Sequence, residues 1–233
     1  MCGRFTLHLS SEALTAFFEI QEVTDIDARF NIAPTQNVVA VLQNQQSNRR
    51  YLHHLRWGLI PAWAKDASMG TKLINARAET AAQKPAFRSA FKHRRCLIVA
   101  DGFYEWQKQG TKKQPFYFHL RDGQPFAFAG LWERWRNPDK EDIDSCTILT
   151  TGANELMQPI HDRMPVILHP EDYNLWLDPQ VQTPELLQPL LQPYPTAAMT
   201  AYPVSTWVNN ARHDDSKCIV PVSDENFPIN QLN

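Results

Sequence analysis

Short apolar segments bounded by turn residues are the feature that most limits how this chain can fold. They are rich in valine, isoleucine and phenylalanine and lie at residues 95–100, 116–120, 126–131, 146–150 and 165–169. Runs of this length and composition are typical of β-strands. Asp122-Gly123 is a turn signal between two of the runs, and residues 37–43 are expected to form a further strand. The pattern predicts a mostly antiparallel sheet system rather than a helical bundle.

Helical patterns are fewer and shorter. Helices are expected from Ser11 behind a serine N-cap, and at residues 83–92, 152–158 and 170–177. Between residues 178 and 203, six prolines interrupt any long helix and indicate a segment that wraps around the surface. The 233 residues are 43% hydrophobic, without a repeat or a break in composition. We therefore expect an α+β fold and one domain over residues 1–233.

The charge of the chain argues against a uniformly basic nucleic-acid-binding surface, because the formal net charge is -2. Any contact with DNA must therefore be local. Residues 84–95 carry five basic side chains, no acid and two interleaved phenylalanines, namely Lys84, Arg88, Lys92, Arg94, Arg95, Phe87 and Phe91. This stretch is either a local nucleic-acid contact or a solvated helix face followed by a strand.

The four cysteines indicate neither a zinc site nor a disulfide framework, because they form no CxxC pair and no HExxH motif accompanies them. No metal and no cofactor are predicted. Cys96 and Cys146 lie in strand-like apolar runs and are expected to be inert core thiols. No apolar signal segment or membrane-length run is evident. These features predict a cytoplasmic protein with no membrane partner.

Cys2 is informative because of its position. Methionine is commonly removed before a small second residue, so Met1 is expected to be absent from the mature protein. Cys2 would then carry an α-amine and a thiol, whose ordinary pKa values of about 8 and about 8.5 leave neutral amine and some thiolate near neutrality. A 1,2-aminothiol can condense with an aldehyde to a Schiff base and close to a thiazolidine. An incidental cysteine at the second position is the alternative.

Three polar clusters interrupt apolar surroundings, at residues 73–80, 101–106 and 159–168. Glu105 lies between two aromatic residues, where partial desolvation would suit a general base, although a salt-bridged carboxylate at a strand end fits equally. His161 suits proton transfer near neutrality, or has a structural role. Asn75 could orient a substrate or the nucleophile, or could cap a helix that begins near Ala76.

Six segments taken together resemble the SOS-response-associated peptidase (SRAP) family, in the family's order and over nearly the whole chain. They are MCGRF at residues 1–5, FNIAPTQ at 30–36, RWGLIPAWAKD at 56–66, NARAET at 75–80, DGFYEW at 101–106 and HDRMPVIL at 161–168. A weaker match, WVNNARHDDSKCI at residues 207–219, carries no assigned role. The resemblance implies a single compact domain with a barrel-like antiparallel core and flanking helices.

The resemblance also implies an activity, namely covalent crosslinking to abasic sites in single-stranded DNA. Its catalytic residues correspond here to Cys2, Asn75, Glu105 and His161. Implied phosphate contacts are Arg4, Arg77, Arg88 and Arg163; implied base contacts are Pro34, Trp63, Phe87 and Trp106; and Thr150 is a further contact. A basic groove with aromatic borders suits sequence-tolerant single-strand binding, which favours the DNA-contact interpretation of residues 84–95.

The expected partner is single-stranded DNA with abasic sites, bound by a monomer that associates with the nucleoid when it is on DNA. Replication-fork proteins are candidate partners. Two other functions use the same residues. A cysteine peptidase would take Cys2 as nucleophile, His161 as base and Asn75 as orienting residue, with removal of Met1 as its strongest form. A non-covalent reader of modified or single-stranded DNA would still function without Cys2.

Overall fold

The computed structural model describes residues 2–21, 25–44, 46–136 and 142–222. Its strands are β1 Arg4–Leu7, β2 Arg29–Ile32, β3 Asn37–Gln43, β4 Arg50–Trp57, β5 Asn75–Arg77, β6 Arg95–Ala100, β7 Gly102–Gln109, β8 Lys112–Leu120, β9 Phe126–Trp135, β10 Ile143–Gly152, β11 Arg163–Pro165, β12 Ile167–Leu168 and β13 Met199–Pro203. The α-helices are α1 Ser11–Phe17, α2 Ala78–Ala81, α3 Arg88–His93, α4 Tyr173–Leu177 and α5 Pro184–Leu187. Short 3-10 helices are Ala67–Lys72, Pro170–Asp172, Gln188–Leu190, Thr196–Ala198, Thr206–Asn209 and Ser216–Ile219.

The strands form two sheets, one of which closes on itself. The first has the order β13-β8-β7-β1-β2. In the second, the order β10-β4-β3-β6-β9 is completed by pairing of β9 with β10, which makes a five-stranded barrel. Outside this closed ring, β5 and β11 pair with β10, and β12 pairs with β9. Closure satisfies the backbone groups that an open sheet would leave at its edges. The predicted barrel-like α+β core is confirmed.

Aromatic side chains join the barrel to the first sheet. Phe5 of β1 packs edge-on against Phe128 of β9 at 5.6 Å between ring centroids. Phe103 of β7 stacks on Phe118 at 5.1 Å and meets Phe128 at 5.9 Å. All four rings are buried in one continuous core that both sheets share. The described residues are therefore one compact unit, whereas a single domain over residues 1–233 stays a prediction.

Most strand predictions are confirmed. Residues 37–43 and 95–100 coincide with β3 and β6, and the runs at 116–120, 126–131 and 146–150 lie within longer strands. The run at 165–169 overlaps the short strands β11 and β12. Pairing is antiparallel throughout the described residues except where β10 runs parallel to β4 and β5. The Asp122-Gly123 turn forms with Gly123 in the left-handed region at φ 69°. It connects strands of different sheets rather than the two arms of one hairpin.

The helix predictions are less accurate. The helix from Ser11 behind a serine N-cap is confirmed, with Ser10 as the N-cap residue. The helix predicted at 170–177 is present but begins as a 3-10 turn. The helix predicted at 83–92 begins later, at Arg88. The helix predicted at 152–158 is wrong, because β10 continues to Gly152 and is followed by turns. The segment from 178 to 203 contributes buried leucines to the core and ends in a strand, so it does more than cover the surface.

The basic stretch at residues 84–95 is largely structural, which corrects the favoured interpretation. Phe87 and Phe91 are buried in the core. Arg95 is 5% exposed and donates to main-chain carbonyls of Phe91, Lys92, Trp176 and Asp178. Arg94 pairs with Glu133 at 2.7 Å. Three cations of the stretch are exposed, Lys84, Arg88 and Lys92, and no exposed aromatic ring accompanies them within it.

The remaining composition-based expectations concern the cysteines and the membrane. Cys96 and Cys146 are fully buried, and desolvation raises the pKa of both thiols, so their predicted place in the core is confirmed. Within the described ranges, no helix has the length and apolar character needed to span a membrane. The same residues contain no cluster of three or more potential ligands that could hold a metal ion.

Gly130 lies in the barrel wall, where β9 pairs with both β6 and β10. A Cβ there would lie 2.7 Å from Cys96 Sγ and 2.9 Å from Ile98 Cδ1. Gly130→Ala should therefore lower the free energy of unfolding by about 1–3 kcal/mol, the usual effect of overpacking, as measured by urea denaturation. Gly152→Ala is the matched control, since no described atom lies within 4 Å of a Cβ there. Equal midpoints for both variants would contradict this account of the wall.

Candidate functional site

Cys2 lies just before β1 and is fully buried. Its thiol lies 3.8 Å from the main-chain carbonyl oxygen of Arg4. Burial, and secondarily the charge of Glu105, raise the pKa of the Cys2 thiol well above its ordinary value. The fold therefore disfavours the thiolate that the ordinary pKa of an exposed cysteine would allow near neutrality. In this environment a nucleophilic sulfur requires a base.

Asn75 holds the main chain of Cys2. Its Nδ2 donates to the carbonyl oxygen of Cys2 at 2.8 Å. Asn75 begins β5, whose register against β10 pairs it with Ile148. Its Oδ1 is buried and accepts no hydrogen bond from any described residue. The helix-cap alternative is wrong, because α2 begins at Ala78 and its N-cap residue is Arg77, without a side-chain cap.

Glu105 lies on β7 and is 3% exposed. The preceding residue, Tyr104, is paired with Arg4 in the register of β1 and β7, which places Glu105 beside the N-terminal segment. Glu105 and His161 both line one open cleft of about 480 Å³, together with Gly3, Arg4, Trp106, Lys113 and Asn209. Two of the four predicted catalytic residues therefore border the cleft, and its wall includes the residue that follows Cys2.

His161 lies at the end of the turns that follow β10. Its main-chain N–H donates to Met157 O at 2.9 Å. Its Nδ1 lies 3.0 Å from the main-chain N–H of Arg163, which donates to it, and 2.9 Å from Asp162 Oδ1. The hydrogen bond from Arg163 to Nδ1 selects the neutral tautomer of His161 that carries its proton on Nε2. Asp162 is 87% exposed, so its attraction for a protonated ring is screened by solvent.

Arg4 and Trp106 form one wall of the cleft. The Arg4 guanidinium lies 5.9 Å from the centre of the Trp106 ring. It donates to Asn31 Oδ1 at 2.6 Å and to Val208 O at 2.8 Å. Desolvation lowers the pKa of Arg4, although the guanidinium stays a cation at neutral pH. The cleft therefore combines a positive charge with an aromatic face.

The sequence-based interpretation missed Lys113 and Asn209, which also line the cleft. Lys113 is exposed on β8 and pairs with Lys108 in register. Asn209 lies in the closing segment, to which no role was assigned, and its Oδ1 accepts from Trp106 Nε1 at 2.7 Å. The signal that could have located it is the Asn-Asn pair at residues 209–210 within a match to the family pattern.

Arg163 is already engaged in an ion pair. It donates to both carboxylate oxygens of Glu79, at 2.6 and 2.9 Å, and to the carbonyl of Thr150 at 2.5 Å. Thr150 is fully buried, which argues against DNA contact by its side chain and for a role in holding Arg163. Arg77 is exposed and pairs with Thr150 in register. Arg77 and Arg163 thus both lie next to Thr150.

The remaining predicted DNA contacts do not line the cleft. Trp63 is 59% exposed in a loop after β4, and Pro34 is half-buried in the turn before β3. Arg88 is exposed at the start of α3. Phe87 is 8% exposed, which leaves little of its ring for a base to stack on. Of the implied aromatic contacts, Trp63 and Trp106 present usable surface.

Comparison with known proteins places the chain in a family. The sequence profile of the family described as SOS response associated peptidase (SRAP) matches residues 1–211. The chain belongs to this family. Relatives include abasic site processing protein YoqW of Bacillus subtilis, 45% identical over 94% of this chain and 99% of the relative. Abasic site processing protein YedK of Escherichia coli is 31% identical over 95% of this chain and all of the relative.

Solved structures share the fold. A protein from Bacteroides thetaiotaomicron superposes with a TM-score of 0.84 at 25% identity, covering 95% of this chain and 100% of that protein. A phage-related protein from Bordetella bronchiseptica superposes with a TM-score of 0.70 at 28% identity, covering 87% of this chain and 94% of that protein. The barrel and the first sheet are therefore features of known structures.

The raised pKa of the Cys2 thiol predicts a distinctive alkylation profile. A raised pKa keeps the thiol protonated, so the thiolate fraction grows tenfold per pH unit until the pKa is reached. Alkylation of Cys2 by iodoacetamide, followed by mass spectrometry of the N-terminal peptide, should accelerate up to at least about pH 10 without a plateau, past the ordinary thiol pKa of about 8.5. The urea-unfolded protein is the control and should level off. A plateau near pH 9 in the folded protein would contradict the burial argument.

Proposed function

We propose that this chain processes abasic sites by bonding covalently, through Cys2 as its N-terminal residue, to the ring-opened aldehyde in single-stranded DNA. The thiazolidine product would shield the lesion. The observation that carries the proposal is the contact of Asn75 with the main chain of Cys2, at 2.8 Å, beside a cleft lined by Glu105 and His161. Relatives that match nearly the whole chain are named abasic site processing proteins.

The reaction is balanced without an oxidant or a metal. The neutral α-amine of Cys2 adds to the aldehyde carbon, and the carbinolamine loses water to give a Schiff base. The thiol sulfur then adds to the imine carbon, and the imine nitrogen gains a proton as the five-membered ring closes. One water leaves in total. Because the thiol is held protonated, the amine is the first nucleophile and the sulfur acts second.

Glu105 is suited to move protons in these steps. It is buried on β7 beside the N-terminal segment, and its charge raises the pKa of the Cys2 thiol. We assign it to accept the thiol proton when the sulfur attacks. Asn75 Oδ1, which accepts no hydrogen bond within the described residues, can accept one from the α-amine once Met1 is removed. Met1 itself lies outside those residues. The pair would thus orient the amine and activate the sulfur.

His161 is assigned to open the deoxyribose ring. Proton donation requires the protonated ring, in which Nδ1–H faces Asp162 Oδ1 at 2.9 Å instead of accepting from Arg163. This ring gives its Nε2 proton to the sugar ring oxygen as the bond from that oxygen to the anomeric carbon breaks. The hydroxyl on the anomeric carbon passes its proton to water, and that carbon becomes the aldehyde. Protonation of the ring oxygen makes it a better leaving group.

DNA binding is assigned to the arginines and the exposed rings. Arg4, Arg77 and Arg163 would contact phosphates. Trp106, Trp63 and Pro34 would contact bases, and each stacked base contributes about 1–3 kcal/mol without a sequence preference. Arg163 would have to exchange part of its pairing with Glu79 for a phosphate. We propose that the protein acts as a monomer in the cytoplasm, with replication-fork proteins as candidate partners.

Substitution of Cys2 tests the chemistry directly. Wild-type protein, checked by intact mass for loss of Met1, should give a shifted band with an abasic single-stranded oligonucleotide on a denaturing gel without reductant. Cys2→Ala should give none. Cys2→Ser retains the amine but has a far weaker nucleophile than a thiolate, so its adduct should be trapped by borohydride and should not persist otherwise.

Other outcomes of the same experiment would replace the proposal. Non-covalent binding by the wild type with no shifted band would identify a reader of modified or single-stranded DNA. Peptide hydrolysis that needs no DNA and is lost in Cys2→Ala would identify a peptidase. A shifted band from protein that retains Met1 would exclude the α-amine mechanism.

Glu105 and His161 should affect the rate rather than the affinity. Glu105→Gln and His161→Ala are each expected to slow single-turnover crosslinking by about 100- to 10,000-fold, the range typical of general acid-base groups, with little change in equilibrium binding. His53→Ala is the matched control, because His53 is also a half-exposed histidine in contact with an aspartate, Asp144. Wild-type rates in both site variants would refute the assignment, and equal losses of rate and affinity would make them binding residues.

A further inference from the structure

We propose that Asn209 is a positioning residue that fixes the ring of Trp106, and with it the stacking face of the cleft. This inference rests on the proposed function, since it names the residue that orients one of that site's DNA contacts. Asn209 Oδ1 accepts from the Trp106 indole Nε1 at 2.7 Å, and both residues line the cleft with Glu105 and His161. The hydrogen bond therefore connects the segment at residues 207–219 with the cleft that Glu105 and His161 line.

The segment that carries Asn209 is anchored at both ends. We call residues 206–214 the clasp. Asn31 Nδ2 lies within hydrogen-bonding distance of three carbonyl oxygens, those of Val208 and Asn210 at 3.1 Å each and that of His213 at 2.6 Å, and its two hydrogens are shared among them. At the far end, Asp214 accepts from the main-chain N–H groups of Phe30 and Asn31, at 2.6 and 2.8 Å. The clasp is therefore held along β2, next to β1 in the sheet.

The same clasp fixes Arg4. Its guanidinium donates to Val208 O at 2.8 Å and to Asn209 O at 3.3 Å, and it lies over the Trp106 ring at 5.9 Å. One segment thus sets both the cation and the aromatic ring of the wall. The main-chain carbonyls hold the cation, whereas the side chain of Asn209 holds the ring, so the two functions can be separated by mutation.

The exposure of this hydrogen bond indicates a role in orientation rather than stability. Asn209 is exposed and Trp106 is half-buried, so water can replace the bond in a variant at little cost in folding free energy. An indole whose N–H is hydrogen-bonded presents a fixed face to a base. Without this hydrogen bond, the ring must be ordered when DNA binds, and the entropy cost of that ordering lowers the affinity.

The test is a double-mutant cycle between Asn209→Ala and Trp106→Phe, read by binding to a single-stranded oligonucleotide and by crosslinking to its abasic form. Asn209→Ala should weaken binding by about two- to tenfold, the range of one net hydrogen bond. The crosslinking rate at saturating DNA should stay at the wild-type value. In the Trp106→Phe background, which lacks the indole N–H, Asn209→Ala should cause no further loss of affinity.

A structural readout accompanies the cycle. The Trp106 indole N–H resonance, assigned by its loss in Trp106→Phe, should shift in Asn209→Ala without DNA. Asn210→Ala is the matched control. It removes a neighbouring asparagine of the clasp whose side chain contacts Arg212 N and His213 Nε2, and it should leave both affinity and resonance unchanged.

Three results would overturn the inference: unchanged affinity in Asn209→Ala, additive losses in the double variant, or an equal loss in Asn210→Ala. Wild-type protein that neither binds nor crosslinks the abasic oligonucleotide would remove the proposed function, and this inference with it. Wild-type protein that crosslinks normally while Asn209→Ala binds like the wild type would remove the inference alone.

Discussion

The structure depends on the pairing of β10 with strands on both of its sides. Its first half pairs antiparallel with β9, while Ser145 and Cys146 also pair parallel with β4, and these contacts close the barrel. From Ile148 onward, the same strand pairs with β5, and from Thr150 onward it also pairs with β11. The strand that closes the barrel therefore also supports Asn75, Arg77 and Arg163. Loss of its register would shift side chains between the two faces of the sheet, with effects on the core and the site together.

Trp57 connects the barrel to the N-terminal strand β1. It is fully buried at the end of β4, and its main chain exchanges hydrogen bonds with the turn at residues 35–36. Its Nε1 donates to Ile74 O at 2.9 Å, next to Asn75, and its ring lies 5.2 Å from that of Phe5 in β1. One side chain thus links the turn after Pro34, the strand that carries Asn75 and the strand that follows Cys2. The separated sequence segments of the family resemblance meet through such buried contacts.

The sequence could predict the strands more fully than the site. Runs such as residues 95–100 are short, apolar and bounded by turn residues, and burial on both faces leaves little alternative to a strand. Barrel closure depends on pairings between strands far apart in the sequence, which local patterns do not encode. Phe87 and Arg95 were misassigned to a DNA surface for the same reason. A basic and aromatic composition is compatible with both a groove and a core edge, and the distinction lies in the carbonyls that Arg95 meets through tertiary packing.

The environment of Cys2 illustrates how a site can be reactive towards one electrophile and inert to others. A thiol with an ordinary pKa exposed in a cleft would be alkylated and oxidised by small molecules. Burial disfavours the thiolate of Cys2, and the charge of Glu105 disfavours it further. In the proposed mechanism, formation of the Schiff base gives the sulfur an adjacent electrophile, and the Glu105 carboxylate then accepts the thiol proton. In the proposed mechanism, selectivity for an aldehyde arises because the amine must react before the sulfur can.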